Sequence, residues 1–200
     1  LYELQLAFMD EEFAALFEEY LPYLGISMAS VKTAQLRVVP VQSALPAAAP
    51  VATYNQVREL VRRQEAISLQ ECVCSKERRL LGHACERPTE RCIGFNDMAR
   101  YFIDNGWARA ISAEEALQVL DLAEENALVL QPSNSKEKLE FICCCCSCCC
   151  PSLRYGRLME RPADMFRSYY EAKIEPDLCT ACGDCIERCQ VDAICEGEAA

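Results

Sequence analysis

The stretch Cys179–Cys189, which reads CTACGDCIERC, decides most of what the sequence predicts. Its four cysteines follow the spacing C-x2-C-x2-C-x3-C, which is typical of thiolates that hold a [4Fe–4S] cluster. The short steps allow three thiolates to converge on one cluster, and the small residues between them let backbone N–H groups approach the cluster sulfurs. The first predicted cluster ligands are therefore Cys179, Cys182, Cys185 and Cys189.

The cysteine content bounds the class of protein. Sixteen cysteines among 200 residues indicate either a disulfide-bonded secreted protein or a metal-loaded protein of a reducing compartment. Seven of the cysteines lie within 143–150, and adjacent cysteines make a poor disulfide framework. No signal peptide opens the sequence, and no run of 18 apolar residues is long enough to cross a bilayer. We therefore expect a cytoplasmic iron–sulfur protein of the type found in anaerobes.

The net charge of the chain indicates which kinds of partner it can bind. The net charge is −11, from 31 acidic and 20 basic residues. Nucleic acids and anionic membrane surfaces repel such a chain, so neither is expected as the main partner. A basic surface on a redox partner protein suits it better.

A second group of cysteines lies upstream, at Cys72, Cys74, Cys85 and Cys92. Four thiolates within 21 residues, with basic residues between them, predict a second [4Fe–4S] cluster. Structural zinc, held by four thiolates or by three and His83, is the rival interpretation. The paired C-x2-C steps of zinc ribbons are missing, which favours iron. Unliganded buried thiols are the third alternative, and a histidine such as His83 is more often a surface residue than a ligand.

The run at 141–151, FICCCCSCCCP, offers a third set of thiols. In an extended chain alternate cysteines point to opposite sides, whereas in a tight turn several converge. We expect some of them to ligate a cluster and the others to pack as small hydrophobic residues. The candidate ligands of this run are Cys143, Cys145, Cys146, Cys148 and Cys149.

Hydrophobic periodicity predicts an α+β fold, with a mostly helical, cysteine-rich scaffold before the C-terminal cluster motif. Asp10 is expected to separate two N-terminal helices that end at Pro22. The remaining predicted elements are an edge strand at Leu36–Val41, an Ala/Pro segment at 43–53, helices at Tyr54–Ile67, Phe95–Asn105, 112–126 and Pro162–Ala172, and a strand at Leu128–Leu130.

The C-terminal stretch 175–194 resembles bacterial 2[4Fe–4S] ferredoxin modules, although Gln190 stands where a proline commonly follows the fourth cysteine. The order of motifs over about residues 1–195 is similar to a family of 4Fe–4S dicluster proteins from anaerobic bacteria and archaea. The shared features are the C-x-C segment, the ISAEEAL unit, the QPSNS loop and a C-N-C-C-G-C-C-C-like run. In that run Cys144 and Ser147 stand in place of asparagine and glycine.

The resemblance implies three regions: an N-terminal helical and extended segment at 1–53, a helical cysteine-rich domain at 54–170, and an incomplete ferredoxin-type module at 171–200. It implies electron transfer through two or three [4Fe–4S] clusters, beside a flavoprotein or another oxidoreductase subunit. The chain looks truncated at both ends, because it begins at Leu1 without Met and stops soon after one half of the module. The fourth ligand of the last cluster is then the missing half, Cys195, Cys189 or a cysteine of the 143–150 run. An oxidoreductase subunit with a catalytic cluster at Cys143–Cys150 and a zinc-stabilised regulatory module remain the alternatives.

Overall fold

The computed structural model describes residues 2–34, 36–41, 56–83, 85–135, 138–159, 166 and 168–197. The Ala/Pro segment expected at 43–53 lies outside these residues. So do residues 162–165 and 167 of the helix expected at Pro162–Ala172, and the described part of that stretch is not helical.

A five-stranded antiparallel sheet forms the centre of the molecule, with the strand order β3-β1-β2-β5-β4. Its strands are β1 (Ile67–Glu71), β2 (Glu90–Phe95), β3 (Arg109–Ala110), β4 (Val129–Pro132) and β5 (Phe141–Cys145). The predicted α+β class is confirmed. The sequence did not reveal β1 and β2, because both are short and buried on both faces, so neither alternates cleanly between apolar and polar residues.

The two faces of the sheet differ in chemistry because side chains alternate along each strand. Apolar residues such as Leu69, Ile93 and Ile142 belong to the main hydrophobic core. The intervening residues of β2 and β5 include Cys92 and Cys143, which pair across the two strands. One face of the sheet is therefore apolar, and the opposite face carries thiols.

Seven α-helices accompany the sheet in the described part of the chain: α1 (Glu11–Ser30), α2 (Val57–Arg62), α3 (Val73–Leu80), α4 (Asn96–Asp104), α5 (Ala113–Glu125), α6 (Pro151–Gly156) and α7 (Asp184–Arg188). The capping box predicted for α5 is confirmed, since the Ser112 hydroxyl accepts a hydrogen bond from the Glu115 amide at 3.1 Å. The edge strand expected at Leu36–Val41 is reduced to two isolated bridges, to Ser133 and to Leu130.

The N-terminal helix α1 is longer than the sequence predicted. It begins after Asp10, whose side chain caps the Phe13 amide at 2.8 Å, and it continues through Pro22 to Ser30. Proline in a helix removes one hydrogen bond, but tertiary packing outweighs that loss here. Beyond Pro22 the helix lies against α6 so closely that a Cβ atom on Gly25 would overlap the Tyr155 ring.

A carboxyl pair lies where α1 meets α3 and α6. Arg154 donates two hydrogen bonds to Glu18, one of them 2.7 Å long, and Arg78 forms an ion pair with the same carboxylate at 3.2 Å. The hydrogen bonds from Arg154 lower the pKa of Glu18 to about 2. Burial, followed by the neighbouring Glu18, raises the pKa of Glu77 to about 8. At neutral pH Glu77 therefore holds a proton that its unfolded counterpart has released.

This proton makes stability depend on pH. Between about pH 4.5 and pH 8 the folded chain retains the Glu77 proton and the unfolded chain does not, so wild-type stability falls as pH rises. A Glu77→Gln variant is neutral throughout. We expect urea unfolding to show a gain for the variant that is about 3 kcal/mol larger at pH 8 than at pH 5. Glu19→Gln, at an exposed position of α1, is the matched control. Equal effects of Glu77→Gln at both pH values would contradict the prediction.

Candidate metal centre

Strand β5 sends its cysteines to opposite sides of the sheet. Cys144 lies with Ile142 in the main apolar core. Cys143 and Cys145 lie on the other face, in contact with each other. Cys144, which the sequence analysis left out of the candidate ligands, therefore packs as a small hydrophobic residue.

The turn after β5 gathers the next thiols. The turn at 147–149 is closed by a hydrogen bond from the Cys150 amide to the Cys146 carbonyl, 3.0 Å long. The Sγ atoms of Cys146 and Cys148 lie 3.2 Å apart, and those of Cys148 and Cys149 lie 3.7 Å apart. One short turn thus presents three thiols to the same point.

A fourth thiol joins them from the loop before β2. The Cys85 Sγ lies 3.8 Å from that of Cys146 and 3.6 Å from that of Cys148. The Sγ atoms of all four cysteines, Cys85, Cys146, Cys148 and Cys149, lie within 4.8 Å of one another. A tetrahedral metal ion with metal–sulfur bonds of about 2.3 Å requires sulfur–sulfur distances of about 3.8 Å. This set, the four-thiol group, is arranged so that it could hold a metal ion.

The buried guanidinium of Arg91 lies beside these thiols. Its Nη2 atom is 3.3 Å from the Cys146 Sγ and 3.6 Å from the Cys72 Sγ, and its Nη1 atom is 3.9 Å from the Cys85 Sγ. Ser75 accepts a further hydrogen bond from it. A buried cation of this kind stabilises anionic sulfur, which is the form that binds metal.

The charge state of the four-thiol group follows from these contacts. Hydrogen bonding from Cys149, together with the charge of Arg91, lowers the pKa of Cys146 to about 5. Burial, followed by the Cys146 thiolate, raises the pKa of Cys148 to about 12. At neutral pH the Cys146 thiolate thus faces the Arg91 guanidinium, and Cys148 remains protonated until a metal displaces its proton.

A second set of cysteines, the six-thiol ring, lies on the thiol-bearing face of the sheet. Hydrogen bonding with two other cysteines of the set shifts the pKa of each member. In order round the ring, the residues are Cys72, Cys74, Cys150, Cys145, Cys143 and Cys92. The ring and the four-thiol group are neighbours, because two pairs of adjacent residues, 145–146 and 149–150, place one member in each.

The donor atoms around both sets fit an iron–sulfur group. Within the described part of the chain, the buried Nε atom of Arg91 and the Oε1 atom of Gln131 have no hydrogen-bond partner. The Nε2 atom of Gln131 lies 3.8 Å from the Cys150 Sγ. Cluster sulfurs accept N–H hydrogen bonds, so the Arg91 Nε–H group could donate a hydrogen bond to a bound cluster. All-thiolate ligand sets select zinc, copper(I) or iron–sulfur clusters.

The C-terminal cysteines lie apart from these sets. Cys179, Cys182 and Cys185 are exposed, and α7 follows the left-handed Gly183 (φ 83°). Among the described residues, the thiols of the four-thiol group converge as metal ligands, whereas these three thiols do not form such a group. The Cys189 Sγ instead accepts a hydrogen bond from the Ala193 amide at 3.2 Å.

Gln190, next to Cys189, connects this module to the four-thiol group. Its Oε1 atom accepts hydrogen bonds from the Ser147 amide at 3.2 Å and from the Ser147 hydroxyl at 3.4 Å. Ser147 lies between Cys146 and Cys148 in the turn. Ser147 and Gln190, two of the three positions that depart from the resembled motifs, therefore contact each other.

The structure regroups the cysteines that the sequence predicted as one set. Cys72, Cys74 and Cys92 lie in the six-thiol ring, whereas Cys85 lies in the four-thiol group. The sequence analysis missed Cys150 and the bridging position of Arg91. The local signal for Cys150 is Pro151, which follows it and begins α6. His83 is exposed and belongs to neither set.

Comparisons with models of protein families, with curated proteins and with solved structures yielded no match. Among the described residues, none of the helices has both the length and the apolar character needed to span a bilayer.

Proposed function

We propose that the chain is an electron-transfer iron–sulfur protein that relays single electrons through [4Fe–4S] clusters to or from a partner oxidoreductase. The observation that carries the proposal is the convergence of Cys85, Cys146, Cys148 and Cys149 beside the buried Arg91 guanidinium, which also reaches the Cys72 thiol. The ferredoxin-type spacing at Cys179–Cys189 adds an exposed third set.

Each part of the chain has a role in this proposal. A bound iron–sulfur cluster supplies one-electron oxidation and reduction. The thiolates hold the irons, and the sheet and helices exclude water from Cys72, Cys92 and Cys146. Arg91 offsets negative charge on the sulfurs. Cys148 is exposed, so the four-thiol group reaches the surface where the Cys189 segment docks.

Two features of the sequence indicate the kind of partner: its net charge and the lack of a nucleotide-binding loop in it. The net charge of −11 favours a basic docking surface, as on a flavoprotein or another oxidoreductase subunit. The sequence contains no Gly-rich nucleotide loop, so flavin or nicotinamide chemistry belongs to that partner. The proposed chain is thus an electron carrier more than a catalyst, and the cytoplasm is its proposed compartment.

The test is chemical and spectroscopic. Protein purified without oxygen should contain iron and acid-labile sulfide in near-equal amounts, and reduction by dithionite should produce S = 1/2 EPR signals of [4Fe–4S]⁺. Absence of iron and sulfide from anaerobically prepared protein would refute the proposal.

Zinc at the four-thiol group is the second candidate, and the sulfur–sulfur distances favour it. Separations of 3.2 to 3.8 Å suit one tetrahedral ion, whereas a [4Fe–4S] cluster holds its thiolates on four separate irons and further apart. The chain is then a zinc-stabilised regulatory or binding module. One zinc per chain, lost in Cys148→Ala and retained in Cys195→Ala, would favour this candidate.

The contact between Gln190 and Ser147 gives a prediction about the docked module. Removing two hydrogen bonds costs about 1 to 2 kcal/mol. In Gln190→Ala the segment around Cys189 should therefore detach from the turn at 147–149 about tenfold more often. Hydrogen exchange of the Ser147 amide should quicken by a similar factor. Glu187→Ala, at an exposed site in α7, is the control. Unchanged exchange at Ser147 in Gln190→Ala would contradict the docking role.

A further inference from the structure

We propose that Gln190 is a positioning residue for the four-thiol group, and that metal bound to this group stabilises the docking of the C-terminal segment 184–192. The inference rests on the metal site of the proposed function, and it applies to zinc as well as to iron. It gives the four-thiol group a second role, because its metal then controls whether the segment that carries Cys185 and Cys189 is docked.

The peptide group that joins Cys146 to Ser147 is held at both of its polar atoms. Its carbonyl oxygen accepts a hydrogen bond from the Cys150 amide at 3.0 Å, within the turn itself. Its N–H group donates a hydrogen bond of 3.2 Å to the Oε1 atom of Gln190, which lies 43 residues further along the chain. Because a peptide group is planar, fixing both atoms fixes the orientation of the backbone on either side of it.

That orientation affects metal binding because Cys146 and Cys148 lie on either side of Ser147. Their Sγ atoms are 3.2 Å apart, and all four Sγ atoms of the four-thiol group lie within 4.8 Å of one another. Gln190 touches none of the metal ligands directly but orients the backbone between two of them. Loss of such an outer contact typically lowers metal affinity by about 10- to 100-fold. The Ser147 hydroxyl donates a second hydrogen bond to the same Gln190 oxygen, at 3.4 Å.

Two further contacts hold the segment on either side of Gln190. Arg188 donates a hydrogen bond to the Glu124 carbonyl, near the end of α5, at 2.6 Å. Asp192 forms an ion pair with Arg157, the residue after α6. The segment is therefore attached to three separate parts of the fold, through the alternate positions 188, 190 and 192. Of these three contacts, the one made by Gln190 is the contact with the metal-binding turn.

Metal binding and docking then favour each other by the same factor. If the contact between Gln190 and Ser147 raises metal affinity, bound metal must strengthen that contact equally, because the four states form a closed thermodynamic cycle. Four metal–sulfur bonds would hold the turn in the arrangement that Gln190 binds. In the metal-free chain the same turn depends on its hydrogen bonds.

Titration of metal-free, full-length protein with Co²⁺ tests the positioning role. We expect Gln190→Ala to bind Co²⁺ about tenfold more weakly than the wild type, because the outer contact of the turn is lost. Ser147→Ala keeps the amide hydrogen bond and should lose less affinity than Gln190→Ala. Glu187→Ala, at an exposed site of α7, is the control and should bind as the wild type does. Equal affinity of Gln190→Ala and wild type would reduce Gln190 to a docking contact and overturn the inference.

Cleavage by trypsin after Arg188 tests the reverse direction, because the segment must detach before a protease can bind it. Saturation with Co²⁺ should slow this cleavage in the wild type by about tenfold, the factor by which Gln190→Ala loses affinity. Cleavage of Gln190→Ala should not respond to Co²⁺. Cys148→Ala lacks one ligand of the four-thiol group and should not respond either, which separates the effect from Co²⁺ bound by the cysteines of the segment. Wild-type cleavage that is independent of Co²⁺ would overturn the inference.

These outcomes separate the inference from the proposed function. Absence of iron and sulfide from anaerobically prepared protein would refute the electron-transfer proposal, whereas the coupling would still stand or fall on the Co²⁺ results. Iron and sulfide in the wild type, with Co²⁺ affinity and cleavage both unaffected by Gln190→Ala, would refute the coupling alone.

Discussion

An Arg91→Gln variant is expected to lower the reduction potential of the iron at the four-thiol group by about 150 mV. The guanidinium lies 3.3 Å from the Cys146 Sγ and favours the reduced state, which carries one more negative charge. A unit charge at about 4 Å contributes about 4 kcal/mol at an effective dielectric constant of about 20. For a one-electron couple, each 1.4 kcal/mol or so corresponds to about 59 mV.

Arg91→Lys is the matched control, because it keeps the charge but not the forked hydrogen bonds to Cys72, Cys85 and Cys146. We expect its potential to fall by less than half as much. Potentiometric titration followed by EPR measures both variants. A potential unchanged in Arg91→Gln, or lowered equally in both variants, would contradict the electrostatic role of Arg91.

A Cys146→Ser variant is expected to weaken metal binding at the four-thiol group by more than about 100-fold. Cys146 contacts each of the other three thiols and is the one whose pKa is lowered to about 5. Its loss removes the thiolate that exists before metal binds. Titration of metal-free protein with Co²⁺, followed by the thiolate-to-metal charge-transfer band, measures the dissociation constant.

Cys195→Ser is the control for this variant, since Cys195 is exposed and outside both thiol sets. It should bind Co²⁺ as the wild type does. Equal affinity of Cys146→Ser and wild type would mean that the four-thiol group is not the binding site.

Local signals predicted α4 and α5 closely, but they did not predict α3, α6 or α7, and they predicted the sheet poorly. The Ser112 cap and the Asn105 stop were readable because the residues that end a helix lie within one turn of it. Pro22 misled the prediction of α1, because close packing against Tyr155 of α6, which is remote in sequence, supports the helix beyond it. Strands β1 and β2 have no local signature, since both of their faces are buried.

The candidate ligands were predicted better than their grouping. Alternation along β5 and convergence in the following turn were both readable from the run at 141–151. The separation of Cys85 from Cys72, Cys74 and Cys92 could not be predicted from the sequence. The pairing of Cys92 with Cys143 and the approach of Cys85 to Cys146 depend on the sheet register. Arg91 was visible as one of several cations, but only the fold shows that it touches both thiol sets.

The most direct test of the account is Mössbauer spectroscopy of anaerobically prepared, ⁵⁷Fe-loaded wild-type protein, combined with iron, zinc and sulfide analysis. The account predicts sulfide close to iron in amount, and at least two distinct spectral components that arise from the four-thiol group and the six-thiol ring. Zinc in place of iron, or iron without sulfide, would contradict it.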